Sequence, residues 1–377
     1  MQVEEIFQCE SLDKYLAFFI SHTPIYEGAT GVKFCLQSHE GKKYFLKPYP
    51  PKKDNKIDHQ FKLMQEAYET GVPMAKPITL VKFTEGGGAI LSPWLDGLSL
   101  SSKKMIEVLF VSPAYQYRLG CDCASAIKKL HSIPVENNIT IENDISTEKK
   151  TSLSSHNRSD RYKKSLDQYR ENTTCKHFHY YIDKVMHYIE SIDKKVLDRQ
   201  FSYIISDYST YNVMLQNDTI MCVDTDTIKP GDPWHDVRHF CGVEIMHKGL
   251  DYLYCGLVHQ YFDGDPPKEF WQFMRFYQVF RNMRNYSGSF KDTKSSKKLL
   301  AKLIDSVNEM QNDAPPPWYI SYNDIFKAII QTSSDSYGFI FHMSRVRILW
   351  VLTLLKIFVY GLIKISGRFW TMRRLFR

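Results

Sequence analysis

The segment 203–224 contains two aspartates and an asparagine at a spacing that is typical of a reactive site. Asp207 and Asn212 enclose a polar loop with the pattern D-x-x-x-x-N, and Asp224 follows twelve residues later, after an apolar run. The apolar runs around the loop predict short strands, separated by the turn pair Asn217-Asp218. Strands that end close together would bring two carboxylates and one amide to one point. Because Mg²⁺ prefers such oxygen ligands together with phosphate oxygens, the segment predicts a magnesium and phosphate site.

A second motif, Gly231-Asp232-Pro233-x-x-Asp236, follows this segment. The order of the motifs resembles the catalytic loop and metal-binding aspartate of the protein-kinase-like fold. The G-D-P-x-x-D run is similar to that of the aminoglycoside phosphotransferase and choline kinase-like family. The resemblance implies that Asp207 orients or deprotonates an acceptor hydroxyl and that Asn212 and Asp224 hold Mg²⁺ on the phosphates of ATP. It also implies that Asp236 braces the catalytic loop by hydrogen bonding.

The sequence departs from this family at two positions before the base. The family usually has a histidine two residues before the catalytic aspartate, where this chain has Ile205, and a glycine where it has Ser206. That histidine mainly supports the loop, so its loss leaves the reacting groups in place. The loss of this histidine nevertheless favours a slow or degenerate enzyme.

Upstream, small residues including Gly28 and Gly31 lie between apolar runs in the segment Ile25–Gln37. In a kinase-like fold this segment would be the first hairpin, whose backbone N–H groups cover the nucleotide phosphates. By itself the pattern also suits an ordinary hairpin. The predicted strand Lys43–Lys47 ends on Lys47, which resembles the lysine that grips the α- and β-phosphates. The alternative for Lys47 is a solvent-facing strand lysine.

Residues 59–70 predict a helix that is closed by a glycine. In kinase-like proteins an acid on this helix pairs with the strand lysine. Gln60 occupies the expected place in this sequence, and Glu66 is the candidate acid further along the helix. Trp94 and Leu95 lie where the chain would cross between two lobes, and their backbone would meet the adenine edge of the nucleotide.

Together the motifs and the predicted elements indicate an α+β, bilobal protein-kinase-like fold. A small lobe with an antiparallel sheet and one helix would occupy residues 1–95 and bind the nucleotide. A larger, mostly helical lobe would occupy residues 96–315 and hold the catalytic and acceptor sites. Within it, the polar residues 136–160 predict a surface insertion. Residues 316–377 would be a C-terminal extension with a basic amphipathic helix.

The charge of the chain is concentrated at its C-terminal end. The 377 residues carry a net charge of +7, and they are 43% hydrophobic, which predicts a globular protein. Eight Lys or Arg residues and no acids follow Gly338, and without these eight the chain has 41 basic and 42 acidic residues. Because the body is neutral and has no recognisable nucleic-acid-binding motif, we expect no nucleic-acid partner.

Residues 345–377 predict a helix at an anionic membrane surface. The apolar run 348–363 is short for a membrane span and has Lys356 at its middle, which is costly in hydrocarbon. On a helical wheel the basic residues lie on one side, as in helices that lie in the membrane interface. The alternatives are a helix docked on the large lobe and a helix that binds a partner protein. The cysteines are scattered along the chain, and the N-terminal segment lacks the apolar stretch of a signal peptide. Both features predict a cytoplasmic protein, and the tail predicts a peripheral position at the inner face of the membrane.

The predicted function is ATP- and Mg²⁺-dependent transfer of a γ-phosphoryl group to a hydroxyl of a small molecule or glycan. The tail suggests a lipid-linked sugar or a lipopolysaccharide core as one acceptor class. The alternative is a catalytically weak or inactive kinase-like scaffold at the membrane surface, which Ile205 and the uncertain helix acid favour. A protein kinase is less well supported, because the eleven residues between Asp224 and Asp236 are too few for a regulated activation segment.

Overall fold

The architecture comes from a computed structural model of the full chain. It divides the chain into two units, residues 1–315 and 316–377, and the elements below belong to the first. The described residues are 10–26, 32–51, 54–110, 113–135, 158–173, 175–192, 194–197, 199–242, 250–287, 293–316 and 319.

A five-stranded antiparallel sheet forms the small lobe. The strands are β1 (Ser21–Ile25), β2 (Lys33–Gln37), β3 (Lys43–Tyr49), β4 (Thr79–Lys82) and β5 (Gly88–Pro93), in the spatial order β1-β2-β3-β5-β4. Strand β3 is therefore central, and its Lys47 is paired with Ile90 of β5. Successive side chains of a strand point to opposite faces, and both faces are covered here, since Leu46 is 0% and Lys47 8% exposed.

Two helices cover the two faces of this sheet. Helix α1 (Glu10–Leu16) packs Leu12 and Leu16 into a buried cluster with Leu46. Helix α2 (Asp54–Glu69) contacts β5 and also the turn at residues 225–227. The second helix therefore connects the small lobe to the segment that follows the predicted metal aspartate.

The connection to the large lobe runs from the end of β5 into a small second sheet. Strand β6 (Leu98–Ser99) pairs with β8 (Val213–Gln216), and β8 pairs with β9 (Thr219–Cys222). Gly97 precedes β6, and a Cβ atom there would lie 2.7 Å from the carbonyl oxygen of Leu215. Only glycine permits this approach, so Gly97 brings the connection directly onto the β8–β9 hairpin.

Helices make up most of the large lobe. In chain order they are α3 (Lys103–Phe110), α4 (Pro113–His131), α5 (Arg158–Glu171), α6 (Lys176–Ser191), α7 (Lys194–Leu197), α8 (Pro233–Gly242), α9 (Asp251–Phe262), α10 (Lys268–Ser287) and α11 (Thr293–Asn308). Apolar side chains such as Ile182, Phe276 and Leu303 join α6, α10 and α11 in one core. Helix α5 begins inside the predicted insertion 136–160, of which residues 136–157 lie outside the described part.

The helices α4 and α9 approach closely because each contributes a glycine to the contact. A Cβ atom on Gly120 would lie 2.0 Å from the carbonyl oxygen of Leu253, and one on Gly256 would lie 2.1 Å from that of Tyr117. Close-packed interiors leave no room for such atoms. Since α4 ends at His131, this crossing also fixes the position of a residue that contacts Asp236.

The described helices include none that is both long and apolar enough to cross a membrane. The predicted basic amphipathic helix of residues 345–377 lies outside the described residues, so its placement stays a prediction.

Candidate active site

Short strands position the segment that carries the predicted chemistry. Strand β7 (Ser202–Ile204) pairs with β10 (Lys229–Gly231), and the β8–β9 hairpin lies between them in the chain. The hairpin turn is Asn217-Asp218, whose φ angles of 50° and 61° are typical of a type I′ turn. The three apolar runs therefore form strands, and the polar loops after β7 and β9 carry the candidate residues.

Asp207 lies in the loop between β7 and β8, with its side chain 60% exposed. The amide nitrogen of Asn212 donates to Oδ2 of Asp207 at 3.0 Å and to its carbonyl oxygen at 2.9 Å. Because both bonds use the nitrogen, the amide oxygen of Asn212 remains available as a ligand. The D-x-x-x-x-N spacing thus places the proposed base and the amide in direct contact.

Asp236 is fully buried near the start of α8 and holds the predicted catalytic loop. Its carboxylate accepts hydrogen bonds from the N–H groups of Ile205 at 2.8 Å and Ser206 at 3.0 Å, and Nε2 of His131 lies 3.3 Å from Oδ2. Burial by itself raises the pKa of Asp236, but the interactions with His131 and His235 outweigh burial and hold the pKa well below its usual range. Asp236 is therefore an ionised anchor for the loop.

The two departures from the family pattern have visible consequences in this loop. Ile205 is 1% exposed, so its side chain belongs to the core. Ser206 has a φ of 63°, in the left-handed region that favours glycine. A histidine nevertheless supports the loop, because His131 reaches Asp236 from the end of α4.

Asp224 follows β9 at the start of a 3₁₀ turn, Thr225–Thr227, and has a left-handed φ of 53°. Two ammonium groups contact its carboxylate, since Nζ of Lys33 and Nζ of Lys47 each lie 3.2 Å from Oδ1. Burial raises the pKa of Asp224, but the attraction of Lys47 and Lys33 outweighs burial and lowers the pKa. Asp224 is therefore an ionised carboxylate with cations on one side.

Lys47 is buried, which excludes the solvent-facing alternative. Its Nζ lies 2.7 Å from Oδ1 of Asp226, closer than the 3.2 Å to Asp224. Burial lowers the pKa of Lys47, but the attraction of Asp226 and Asp224 outweighs burial and raises the pKa. The lysine is thus a fixed cation between two carboxylates.

Glu66, the candidate acid for an ion pair with Lys47, is not its partner in this structure. Among the described residues, the acids that contact Lys47 are Asp224 and Asp226. Gln60, at the expected place of the helix acid, has a buried Nε2 without a hydrogen-bond partner in the described part of the chain. Glu66 is six residues further on, about 240° around the helix, so it cannot take over the direction of Gln60. Asp226 supplies the missing charge.

The structure describes only two of the four other residues that were predicted to contact the nucleotide. Gly28 and Gly31 lie outside the described residues. The N–H of Trp94 donates to the carbonyl oxygen of Lys43 at 3.1 Å, so this N–H is used within the small lobe. Leu95 follows in the connection between the lobes and is partly buried. Contacts of Trp94 and Leu95 with an adenine ring stay predictions.

Asp224 and Asn212 supply a carboxylate and an amide oxygen, a donor set that suits Mg²⁺ when phosphates provide further ligands. The side chain of Asp224 is 31% exposed, so a cation could reach it. No group of three or more His, Cys, Asp or Glu side chains among the described residues could hold a metal ion.

Three residues of the site were not identified from the sequence, namely Lys33, Asp226 and His239. Lys33 begins β2 and is 9% exposed, and a lysine within an apolar run was its signal. Asp226 was signalled by the D-x-D spacing after β9. Nε2 of His239 lies 2.9 Å from Oδ1 of Asp207. Its signal was the helical spacing i, i+3 from Asp236, which puts both side chains on one face of α8.

Solved structures with TM-scores of 0.55 to 0.58 share this fold. Aminoglycoside phosphotransferase APH(2'')-Ib with bound ADP is 15% identical, with 80% of this chain and 99% of that chain covered, at a TM-score of 0.58. The gentamicin complex of APH(2")-IIa is 15% identical, with coverage of 85% and 99%, at 0.56. Amicoumacin kinase hAmiN, in complex with AMP-PNP, Ca²⁺ and Ami, is 11% identical, with coverage of 85% and 100%, at 0.55. These similarities confirm the predicted kinase-like fold.

A comparison with curated protein sequences gives no match to this chain. The sequence model of the phosphotransferase enzyme family matches residues 21–276, which is more than half of the chain. The matched range includes Lys47, the catalytic loop and the aspartates that follow it. The chain therefore belongs to the phosphotransferase enzyme family.

Proposed function

We propose that this protein transfers the γ-phosphoryl group of ATP, with Mg²⁺, to a hydroxyl group of a small molecule or glycan. One observation carries the proposal: the loop with the Asp207–Asn212 contact lies next to the segment that ends in Asp224, whose carboxylate contacts two ammonium groups. The N–H of Val223 donates to the carbonyl oxygen of Asn212 at 3.0 Å, so the two halves are joined by a backbone hydrogen bond. Family membership and the nucleotide complexes among the structural neighbours support the proposal.

In this proposal Asp207 acts on the acceptor. The acceptor oxygen would form a bond to the γ-phosphorus while the bond from that phosphorus to the bridging oxygen breaks and ADP leaves. The hydroxyl proton would pass to the carboxylate of Asp207 and from there to water, to which this side chain is exposed. Because phosphoryl transfer has a loose transition state, the orientation of the hydroxyl matters more than the strength of the base.

In this proposal Lys33 and Lys47 bind the phosphates of ATP. Their ammonium groups are held beforehand by Asp224 and Asp226, so little reorganisation is required when a triphosphate binds. A bound Mg²⁺ would be held by Asp224 and Asn212 and would neutralise negative charge on the phosphates. The two lysines would add to that neutralisation on the side of the small lobe.

Thermal unfolding with and without Mg-ATP tests the proposal. A ligand at one hundred times its dissociation constant stabilises a protein by about 2.7 kcal/mol, or several degrees. We expect a Mg²⁺-dependent rise in wild type, loss of the rise in Asp224→Asn, and retention in Asp218→Asn, which removes a carboxylate that is 60% exposed. A positive result leads to transfer assays from labelled ATP to aminoglycosides and free sugars.

A kinase-shaped scaffold is the second candidate function. The observations that favour it are the apolar Ile205 and the absence, among the described residues, of an α2 acid that contacts Lys47. No rise in the unfolding temperature of wild type with Mg-ATP would put this candidate first.

A membrane-linked acceptor, such as a lipid-linked sugar, remains part of the proposal for the segment 345–377. The support is the basic and apolar pattern of that segment. Removal of residues 345–377 should abolish binding to anionic vesicles in a sedimentation assay. Equal binding of the full and shortened chains would exclude a membrane role for the segment.

A further inference from the structure

Two side chains hold the two oxygens of the Asp207 carboxylate. Asn212 donates to Oδ2 at 3.0 Å, and Nε2 of His239 lies 2.9 Å from Oδ1. A carboxylate accepts hydrogen bonds, so Nε2 of His239 carries the hydrogen in this contact. The Asp207 side chain is 60% exposed and that of His239 is 23% exposed, which leaves the remaining lone pairs of the carboxylate open toward solvent.

Helix α8 holds His239 beside the carboxylate of Asp207. Asp236 and His239 are three residues apart and lie on the same helix face. Asp236 ties that face to the backbone of the catalytic loop through two hydrogen bonds. The next residue, Phe240, packs on Tyr208 of the loop with ring centroids 5.1 Å apart. The helix and the loop are thus joined on both sides of the contact between His239 and Asp207.

A second histidine supports the ring of His239 from behind. The rings of His235 and His239 are stacked, with centroids 5.8 Å apart and planes 12° apart. His235 is itself fixed by a contact of 2.8 Å between its Nε2 and the hydroxyl of Tyr277. Burial lowers the pKa of His235, which favours an uncharged ring beneath His239. The buried carboxylate of Asp236 lies on the same helix face as His239.

We propose that His239 is a positioning residue for Asp207, which fixes the rotamer of the carboxylate so that its open lone pairs face the attacking hydroxyl. The inference rests on the proposed phosphotransferase function. His239 is not the histidine that the family usually has two residues before the base. That position is Ile205 in this chain, and its side chain is buried. His239 instead reaches the base from a different element, with a direct hydrogen bond to the reacting carboxylate.

The test compares His239→Leu, which removes the donor, with His239→Gln, whose amide nitrogen can replace Nε2. The matched control is His59→Leu, a change at an exposed histidine of α2. The assay measures kcat and KM for hydrolysis of Mg-ATP, with water as the acceptor. We expect His239→Leu to lower kcat by about 10- to 100-fold, as for a misplaced reacting group, with KM for ATP unchanged. His239→Gln should recover most of the loss, and the control should match wild type.

A double-mutant comparison shows whether His239 acts through Asp207. If it does, adding His239→Leu to Asp207→Asn should slow hydrolysis no further. Imidazole ¹⁵N NMR gives a readout that needs no turnover: His239 should be protonated on Nε2 in wild type, and Asp207→Ala should change this signal.

The outcomes distinguish failure of the proposed role of His239 from failure of the proposed phosphotransferase function. Nucleotide stabilisation with an unchanged kcat in His239→Leu, equal losses in the Leu and Gln variants, or an NMR signal insensitive to Asp207→Ala would overturn the role of His239 alone. Absence of both nucleotide stabilisation and hydrolysis in wild type would overturn the proposed function, and this inference with it.

Discussion

The replacement Asp226→Asn tests the ion pair between Lys47 and Asp226, which replaces the expected ion pair between Lys47 and an acid of α2. Asp226 is the nearest acid to Lys47, at 2.7 Å, and the two side chains are 11% and 10% exposed. Removal of one partner from a buried ion pair costs about 3–5 kcal/mol when the other is left alone. Lys47 keeps Asp224 at 3.2 Å, and a hydrogen bond to a charged group contributes about 1.5–3 kcal/mol. We therefore expect a loss of about 2–3 kcal/mol.

The assay is thermal and urea unfolding of the ligand-free protein at neutral pH. The expected loss corresponds to a fall in unfolding temperature of about 4–12 °C. Asp218→Asn is the matched control, because it makes the same chemical change in an ion pair with Arg118 whose side chains are 51% and 60% exposed. Exposed pairs contribute about 0–1 kcal/mol. Equal losses in the two variants would refute the reasoning that Asp226 is the charge partner of Lys47.

The same variant has a defined pH dependence. The pKa of Lys47 is raised in the folded protein above its ordinary value of 10.5. A cation with a raised pKa contributes stability that is fully present below the unfolded pKa and is lost as the pH rises through the folded pKa. The difference in free energy of unfolding between wild type and Asp226→Asn should therefore be constant between about pH 6 and 9. It should become smaller above about pH 10.5.

Three further predictions concern the loop and the helix crossing. Ser206→Gly should stabilise the protein by about 0.5–1 kcal/mol in urea unfolding, because relief of the left-handed φ exceeds the entropy cost of glycine; a lower urea midpoint would contradict this. Gly256→Ala should destabilise by about 1–3 kcal/mol despite the higher helix propensity of alanine, because the new Cβ meets a backbone carbonyl oxygen; a rise in unfolding temperature would show that the helices can separate. Asp236→Asn should destabilise by about 3 kcal/mol at pH 7. Because the pKa of Asp236 is depressed, this difference should narrow as the pH falls below the ordinary carboxylate value of 3.8, and a difference that grows in acid would contradict the assignment.

Local patterns were sufficient for the groups that lie close together in the chain. The alternation of apolar runs and polar loops from 203 to 224 predicted the strands, and the D-x-x-x-x-N spacing brought Asp207 and Asn212 into contact. The strand lysine was also found, because Lys47 ends an apolar run in a segment that becomes the centre of a sheet. In each case a short stretch of backbone fixes the distance, so the spacing in sequence is a direct guide to the geometry.

The partner of Lys47 could not be predicted in the same way. The acid was expected on the helix at residues 59–70, where Gln60 occupies the usual place and Glu66 was the candidate. The structure instead uses Asp226, from a turn 179 residues away. Whether a carboxylate can reach a buried ammonium depends on the packing of α2 against the 225–227 turn. No spacing within either segment contains that information.

The fold class, the family and the order of the predicted catalytic groups could be inferred from the sequence alone, since these depend on local periodicity and on motifs within one segment. The pairing of charged side chains from distant segments became visible only in the folded protein. Folding brought Lys33 of β2 to Asp224, His131 of α4 to Asp236 and His239 of α8 to Asp207. The physical reason is that a hydrogen bond or ion pair requires approach within about 3 Å. For residues on separate elements, that approach is set by how the elements pack and not by their distance along the chain.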